Sequence, residues 1–251
     1  MSSKLKIAVV NLQSGIGTIR GYTDYIFSAW KYFLPGNHGY IHKAAAILKS
    51  ENVDIALLTE VNEISFRSRN QSHVKTLEQE LSPIESCFFP TIKTGSYLHE
   101  GNAILSKYPL RKITTYVLHS VGISRILGES SAIINDRAVT IFVTHLSLSK
   151  KHRSLQIARI AEIIKTKTGP LILGGDFNEH DVSMLKPLLS AGFSSIHFQK
   201  NFPSWKPNRA LDYLFLSKHF TNTHSYIPQT ELFSDHAPLI VEVELVEEIE
   251  V

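Results

Sequence analysis

The chain has 251 residues, 43% hydrophobic and 20% charged, with a formal charge of +3 and a pI near 8.8. This composition excludes a disordered or fibrous chain and leaves enough apolar residues for a large core. Cys87 is the single cysteine, which excludes an intramolecular disulfide and a cysteine metal cage; beside Phe88 and Phe89 it reads as buried filler.

Along the chain, strand and helix signals alternate without repeats, low-complexity tracts or a Gly/Ser/Pro linker, so residues 1–251 are expected to form one domain. The first strand, Ile7-Ala8-Val9-Val10, runs into Asn11 after only four strong apolar residues, too few for a secretory leader. No run approaches membrane-spanning length, and the expectation is a soluble cytoplasmic protein with no transmembrane segment. An aromatic-rich stretch follows, Tyr22 to Pro35 with Tyr25, Trp30, Tyr32 and Phe33; it either walls a cleft or packs on its own sheet. Apolar spacing predicts a helix from Ile41 to Ser50, a strand ending at Glu60 and a helix from about His73 to Leu81. Ala103 to Ser106 and Ile113 to Leu118 read as strands. Asn135-Asp136 reads as the turn of a hairpin joining Ser131–Ile134 to the strand from Ala138 to Thr144. A helix is expected from about Arg153 to Lys165, and Gly169-Pro170 closes it before Leu171-Ile172-Leu173-Gly174-Gly175. A shorter helix, Ser183 to Leu189, has Asp181 as its cap. Asp212 opens the strand Asp212-Tyr213-Leu214-Phe215-Leu216. The last strand, Ala237 to Val246, alternates Val241, Val243 and Leu245 with Glu242 and Glu244, which leaves one face wet. Hairpins mixed with helices argue for packed sheets covered by helices.

Six of these strands begin or end on polar residues suited to phosphate chemistry: Asn11, Glu60, His145, Asp176 with Asn178, Asp212, and Asp235 with His236. Carboxylates gathered at one partly dehydrated rim repel unless a cation sits among them, which points to a hard divalent metal handling a phosphate. Glu60 and Asp235 are the candidate ligands. In Asp176-Phe177-Asn178, residues two apart on an extended segment share a side, so a carboxylate and a carboxamide stand together. The preceding Gly174-Gly175 lets the backbone approach closely. Asp212 and His236 are candidates for a carboxylate–imidazole pair, in which the carboxylate fixes the tautomer, and His145 is a second imidazole. His180 reads as part of the loop leaving the site. Lys and Arg are spread along the chain; Lys150-Lys151-His152-Arg153 is the densest group and reads as a solvated helix start.

The ordered set Asn11, Glu60, Gly101-Asn102-Ala103-Ile104-Leu105-Ser106, Thr144-His145-Leu146, Gly175-Asp176-Phe177-Asn178, Leu211-Asp212-Tyr213 and Ser234-Asp235-His236 resembles the endonuclease/exonuclease/phosphatase superfamily, the deoxyribonuclease I-like group. The resemblance implies a four-layer α/β sandwich of two packed, mainly antiparallel or mixed sheets flanked by helices, one Mg²⁺ or Mn²⁺, and hydrolysis of a phosphoester, most simply a phosphodiester. It further implies that Glu60 holds the metal with Asp235 and Asn11 near it, and that Asp176 orients or activates water. Asn178 would bind phosphate and His145 would donate to a phosphoryl oxygen. His236, paired with Asp212, would act as general base or transition-state stabiliser, and the water's proton has two candidate acceptors, Asp176 and His236.

Departures from the branches of that superfamily narrow the field. Abasic-site endonucleases carry tyrosine where this chain has His145. Inositol 5-phosphatases carry tryptophan before their Gly-Asp pair, where Leu173 and Gly174 stand here. Arg153 and Gln156 read as structural anchors, and Arg125 as a candidate for reaching a substrate phosphate. Nuclease, lipid phosphodiesterase and phosphomonoesterase chemistry all fit these residues, so nucleic acid is one candidate partner. A phosphate-binding domain without turnover is the alternative, and the sequence carries no signal for oligomeric state.

Overall fold

In the first strand, β1 (Ser3–Asn11), alternate residues turn to opposite faces, and from Ile7 to Asn11 both faces are buried. Ile7 and Val9 meet Ile55, Leu57, Ile141, Val143 and Ile172 in a core shared by two sheets. Ala8 and Val10 pack instead with Ile41, Ala44, Leu48 and Leu77 from two helices. Burial on both sides is what places β1 in the middle of a layered structure. The computed structural model describes residues 3–19, 21, 34–66 and 68–246, so the aromatic stretch Tyr22 to Phe33 lies outside the described residues.

After β1 come α1 (His38–Ser50), β2 (Ile55–Asn62), α2 (His73–Leu81), β3 (Glu85–Thr94), β4 (Leu98–Ser106), β5 (Leu110–Leu118), β6 (Arg125–Ile134) and β7 (Arg137–His145). The chain continues through α3 (Lys150–Ile164), β8 (Leu171–Asp176), α4 (Lys186–Leu189), β9 (Phe193–His197), β10 (Asp212–Ser217), β11 (Phe220–Tyr226) and β12 (Leu239–Leu245). The strands form two six-stranded sheets, ordered β11-β12-β1-β2-β4-β3 and β5-β6-β7-β8-β10-β9. Among the described residues, only β1 with β2 and β7 with β8 pair in parallel; the other pairs are antiparallel. Helices α1 and α2 cover the first sheet. Ile157, Ile160 and Ile164 of α3 pack on Phe142, Leu173 and Phe215 of the second. The result is the four-layer α/β sandwich expected from the sequence.

Asn135 and Asp136 take φ of 49° and 60°, the paired left-handed geometry of a tight hairpin turn. The helix expected over Ser183 to Leu189 divides into a 3-10 turn, Val182–Leu185, and α4. Pro187 accounts for the break, because it sits in the first turn of α4 and donates no N–H to a preceding turn. Asp181 caps the 3-10 turn by accepting from the Ser183 N–H.

Two adjacent glycines set the spacing around β8. A Cβ on Gly174 would lie 2.5 Å from Leu57 Cδ1 of the facing sheet, and one on Gly175, whose φ is 144°, would lie 1.9 Å from the Thr144 carbonyl oxygen of β7. The close approach expected of Gly174-Gly175 is therefore real in two directions, between sheets and between strands. Gly175→Ala is expected to remove roughly 3 kcal/mol or more of stability, from combined strain and overpacking. Gly95→Ala, at a φ of 53° with nothing within 4 Å, should lose only about 1–2 kcal/mol; urea unfolding midpoints of the two variants check the contrast.

Candidate active site

Strand register builds half of the site. His145 ends β7, Asp176 ends β8 and Asp212 begins β10; His145 stands opposite Asp176, and Asp176 opposite Asp212. Directly opposed residues project from the same face of a sheet. His145 Nε2 consequently lies 3.7 Å from Asp176 Oδ2.

The facing sheet supplies Asn11 and Glu60. Asn11 ends β1, and Glu60 adopts a φ of 53° where the register between β2 and β4 shifts from Leu58 to Val61. Such a bulge re-aims a side chain, and here it turns Glu60 into the cleft between the sheets. Asn11 Nδ2 donates to Glu60 Oε1 and to Asp176 Oδ2, each at 3.1 Å, so one amide bridges the two sheets. Its Oδ1 accepts from the Gln13 N–H at 2.8 Å. Asn11 thus stands beside Glu60 as expected, but it presents nitrogen to the carboxylates and its oxygen is turned to the backbone.

His236 lies between β11 and β12. Its Nδ1–H donates to Asp212 Oδ2 at 2.9 Å, and its Nε2 is 3.8 Å from Asp176 Oδ2. The Phe202 ring packs against the imidazole with centroids 4.8 Å apart. Asp212 is itself held by buried Asn201, whose Nδ2 donates to Asp212 Oδ2 and to the Ala237 carbonyl, while its Oδ1 accepts from the Leu211 N–H. Asn178 donates its backbone N–H to Asp176 Oδ1 at 2.8 Å. Its side-chain Nδ2 donates to His145 Nε2 at 3.1 Å and to the Leu146 carbonyl at 3.0 Å. Asp235 Oδ1 accepts from Ser234 Oγ at 3.2 Å.

Glu60, His145, Asp176, Asn178, Asp235 and His236 all line one cleft of about 570 Å³. Every site residue expected from the sequence is therefore at or beside this cleft, with Asn11 and Asp212 in the layer supporting it. Arg125, the first residue of β6, also lines it, as does exposed His180. Arg153 and Gln156 stay out of the cleft as anchors. Arg153 holds buried Glu179 at 3.0 Å and donates to the Ser147 and Leu148 carbonyls, while Gln156 bonds the Ser147 N–H and the His119 carbonyl.

The electrostatics carry strain of a defined kind. Removal from water, followed by the fields of Glu100, Asp235 and Asp176, pushes the Glu60 carboxyl up to about 8. Asp176 is pushed to about 6, chiefly by burial, with His236 opposing the shift and Asp212 adding to it. Burial works against a charged His236, yet Asp212 and Asp176 raise it well above its ordinary value. His145 is driven the other way by burial and by the positive charges of Arg125 and His236. Burial also lowers the Arg125 guanidinium, although Glu60, Asp176 and Glu100 favour its charge.

Among the polar residues of the site, Glu100 and Asn201 were not singled out by the sequence. Glu100 follows His99 in a β-hairpin and immediately precedes the Gly101-Asn102 segment, so its only signal is adjacency to that segment; it accepts from Ser14 Oγ at 2.5 Å. Asn201 lies in an irregular segment between β9 and β10, with no strand end to mark it.

The donor set suits a hard divalent cation. Ligand atoms of Glu60, His145 and Asp176 lie within 4.8 Å of one another, and so do those of Asp176, Asp212 and His236. Burial first, and then the neighbouring carboxylates, disfavour a charged Glu60; an added cation would offset both, and carboxylate oxygens are the ligands such ions prefer.

Residues 11–236 match the Endonuclease/Exonuclease/phosphatase family. The chain belongs to this family, whose members are hydrolases of phosphoesters and are typically dependent on a divalent metal. Among curated relatives, the uncharacterized protein YbhP of Escherichia coli K12 is 28% identical over 165 residues, 59% of this chain and 64% of the relative, so the match spans under two thirds of that protein. An endonuclease/exonuclease/phosphatase from Bacteroides vulgatus has a similar fold, with a TM-score of 0.70 at 15% identity over 97% of this chain and 100% of the other. The human Nocturnin catalytic domain with bound sulfate gives 0.68 at 16% identity over 98% and 97% of the two chains.

Arg153→Met leaves Glu179 buried without its cation and is expected to destabilise the fold by roughly 3–5 kcal/mol. Replacing Glu179 with Gln in the same chain removes the unpaired charge, keeps an acceptor for the His180 and Asp181 N–H groups and should recover part of that loss. Urea unfolding of the single and double variants tests both parts.

Proposed function

We propose that the chain is a metal-dependent phosphodiesterase that uses Mg²⁺ or Mn²⁺ and attacks phosphorus with water. The observation that carries this reading is the convergence of Glu60, Asp176, Asp235 and the Asp212–His236 pair on one cleft from two separate sheets. Glu60 and Asp235 would hold the cation, with Asn11 fixing Glu60 in place. The cation, when bound, would neutralise charge growing on the phosphoryl and leaving oxygens. Asp176 Oδ2 and His236 Nε2 stand 3.8 Å from each other at the cleft, so a water bridging them would give its proton to one of this pair. Asp212 keeps Nδ1 of His236 occupied and the Nε2 edge turned to the cleft. His145 and Asn178 would meet the phosphoryl oxygens, exchanging their mutual hydrogen bond for bonds to the substrate. A tetrahedral anion is also what the Nocturnin structure of similar fold holds, as sulfate. The lone buried cysteine suits the reducing cytoplasm.

Glu60→Gln and His236→Ala are each expected to lower turnover by about 10²–10⁴-fold. A chelator should abolish it, and added Mg²⁺ or Mn²⁺ should restore it. The assay is a hydrolysis panel of single- and double-stranded DNA, RNA, sphingomyelin, inositol phosphates and a generic aryl diester. Indifference to both substitutions, or silence across the panel with either metal, sinks the proposal. A second measurement follows from the Glu60 carboxyl, which is protonated below about 8 in the metal-free chain. A cation must displace that proton, so Mg²⁺ affinity should rise with pH up to about 8 and level off above it. Calorimetric titrations across that range check the slope.

A further inference from the structure

Two exposed aliphatic side chains line the cleft, Ile123 at 50% and Leu148 at 79% exposure, and Val121, two residues before Ile123, is 74% exposed. Val121 and Ile123 belong to the β5–β6 connection, and Leu148 to the segment between β7 and α3. Both segments are tied together beneath these tips. The His119 and His152 rings meet edge to face with centroids 5.2 Å apart, and Gln156 Nε2 donates to the His119 carbonyl at 2.6 Å. Arg153 grips the carbonyls of Ser147 and Leu148. Part-buried polar bonds therefore fix the backbone of both segments, while the aliphatic tips stay exposed.

Exposed Lys150 and Lys151 follow Leu148 after Ser149; Lys150 also faces exposed Asp181, which leaves Lys151 as the freer charge. An apolar tip flanked by lysines is the pattern that seats a protein on an anionic lipid surface, with the apolar part in the acyl boundary and the cations at the headgroups. Single-stranded nucleic acid is gripped differently, by aromatic rings that stack on bases, and Val121, Ile123 and Leu148 offer none.

We infer that this rim docks the protein on an anionic bilayer, so that the phosphoester entering the cleft is carried by a lipid headgroup. The second half of this statement rests on the hydrolase reading above; the docking itself does not. The test is flotation of the whole protein, without divalent metal, with phosphatidylcholine vesicles lacking or containing about 30% phosphatidylglycerol. Wild type should float with the anionic vesicles and bind neutral ones more weakly. V121S/L148S and K150E/K151E should each bind anionic vesicles roughly tenfold more weakly or worse. Thermal midpoints establish that the variants are folded, and if the serine pair does not fold, the lysine pair decides the outcome.

Absence of flotation by wild type overturns the inference. So does undiminished binding by folded variants, or a loss that affects a single-stranded DNA oligonucleotide in place of vesicles. A protein that hydrolyses a soluble diester yet never floats removes only the docking proposal. One that floats but hydrolyses nothing removes only the hydrolase.

Discussion

The approach of the two sheets at β8 is the constraint on which the site depends. With no side chain at Gly174, Leu57 of the opposite sheet sits where a Cβ would otherwise be, and the sheet ends converge enough for Asn11 to bond Glu60 and Asp176 together. Neither sheet alone contains the cluster. The first brings Asn11 and Glu60, and the second brings His145, Asp176 and Asp212 as neighbours in register.

Holding these charges together opposes folding, and the opposition is met elsewhere. The shared core between the sheets, with Ile7, Leu57, Phe89, Val143 and Leu214 fully buried, contributes roughly 1.5–3 kcal/mol for each large apolar side chain removed from water. Carboxylates taken from water at the rim lose part of that, chiefly through lost hydration and, at Glu60, through the neighbouring carboxylates as well, as the raised Glu60 and Asp176 record. Polar bonds restrain the same groups. Asn201 clamps Asp212, and Glu179, pinned by Arg153, holds the backbone after Asn178 through the N–H groups of His180 and Asp181.

The central strands of both sheets are legible in the sequence because each is buried on two faces, which leaves an unbroken apolar run with a polar residue at its end. Glu60 and Asp176 are conspicuous for that reason. Strands β3, β9 and β11 carry no comparable signal, and all three lie at sheet edges. There a strand pairs on one side only, tolerates Pro90 in β3, and mixes buried with exposed residues. Asn201 is invisible for a related reason. Its value comes from a long-range meeting with Asp212 and Ala237, and nothing local in Lys200-Asn201-Phe202 announces it. Asn11 could be placed from the end of its strand, whereas the direction of its amide required the neighbouring carboxylates.

The pairing of β1 with β12 has a consequence for the timing of synthesis. Residues 11 and 236 serve the same cleft, and β12 slots between β1 and β11 as an interior strand. One neighbour of β1, β2, follows closely in sequence, whereas the other, β12, is made more than two hundred residues later. Long-range pairings of this kind are slow to form. They also act as a safeguard, because prematurely terminated products lack His236 and its supporting strand and cannot assemble the cleft.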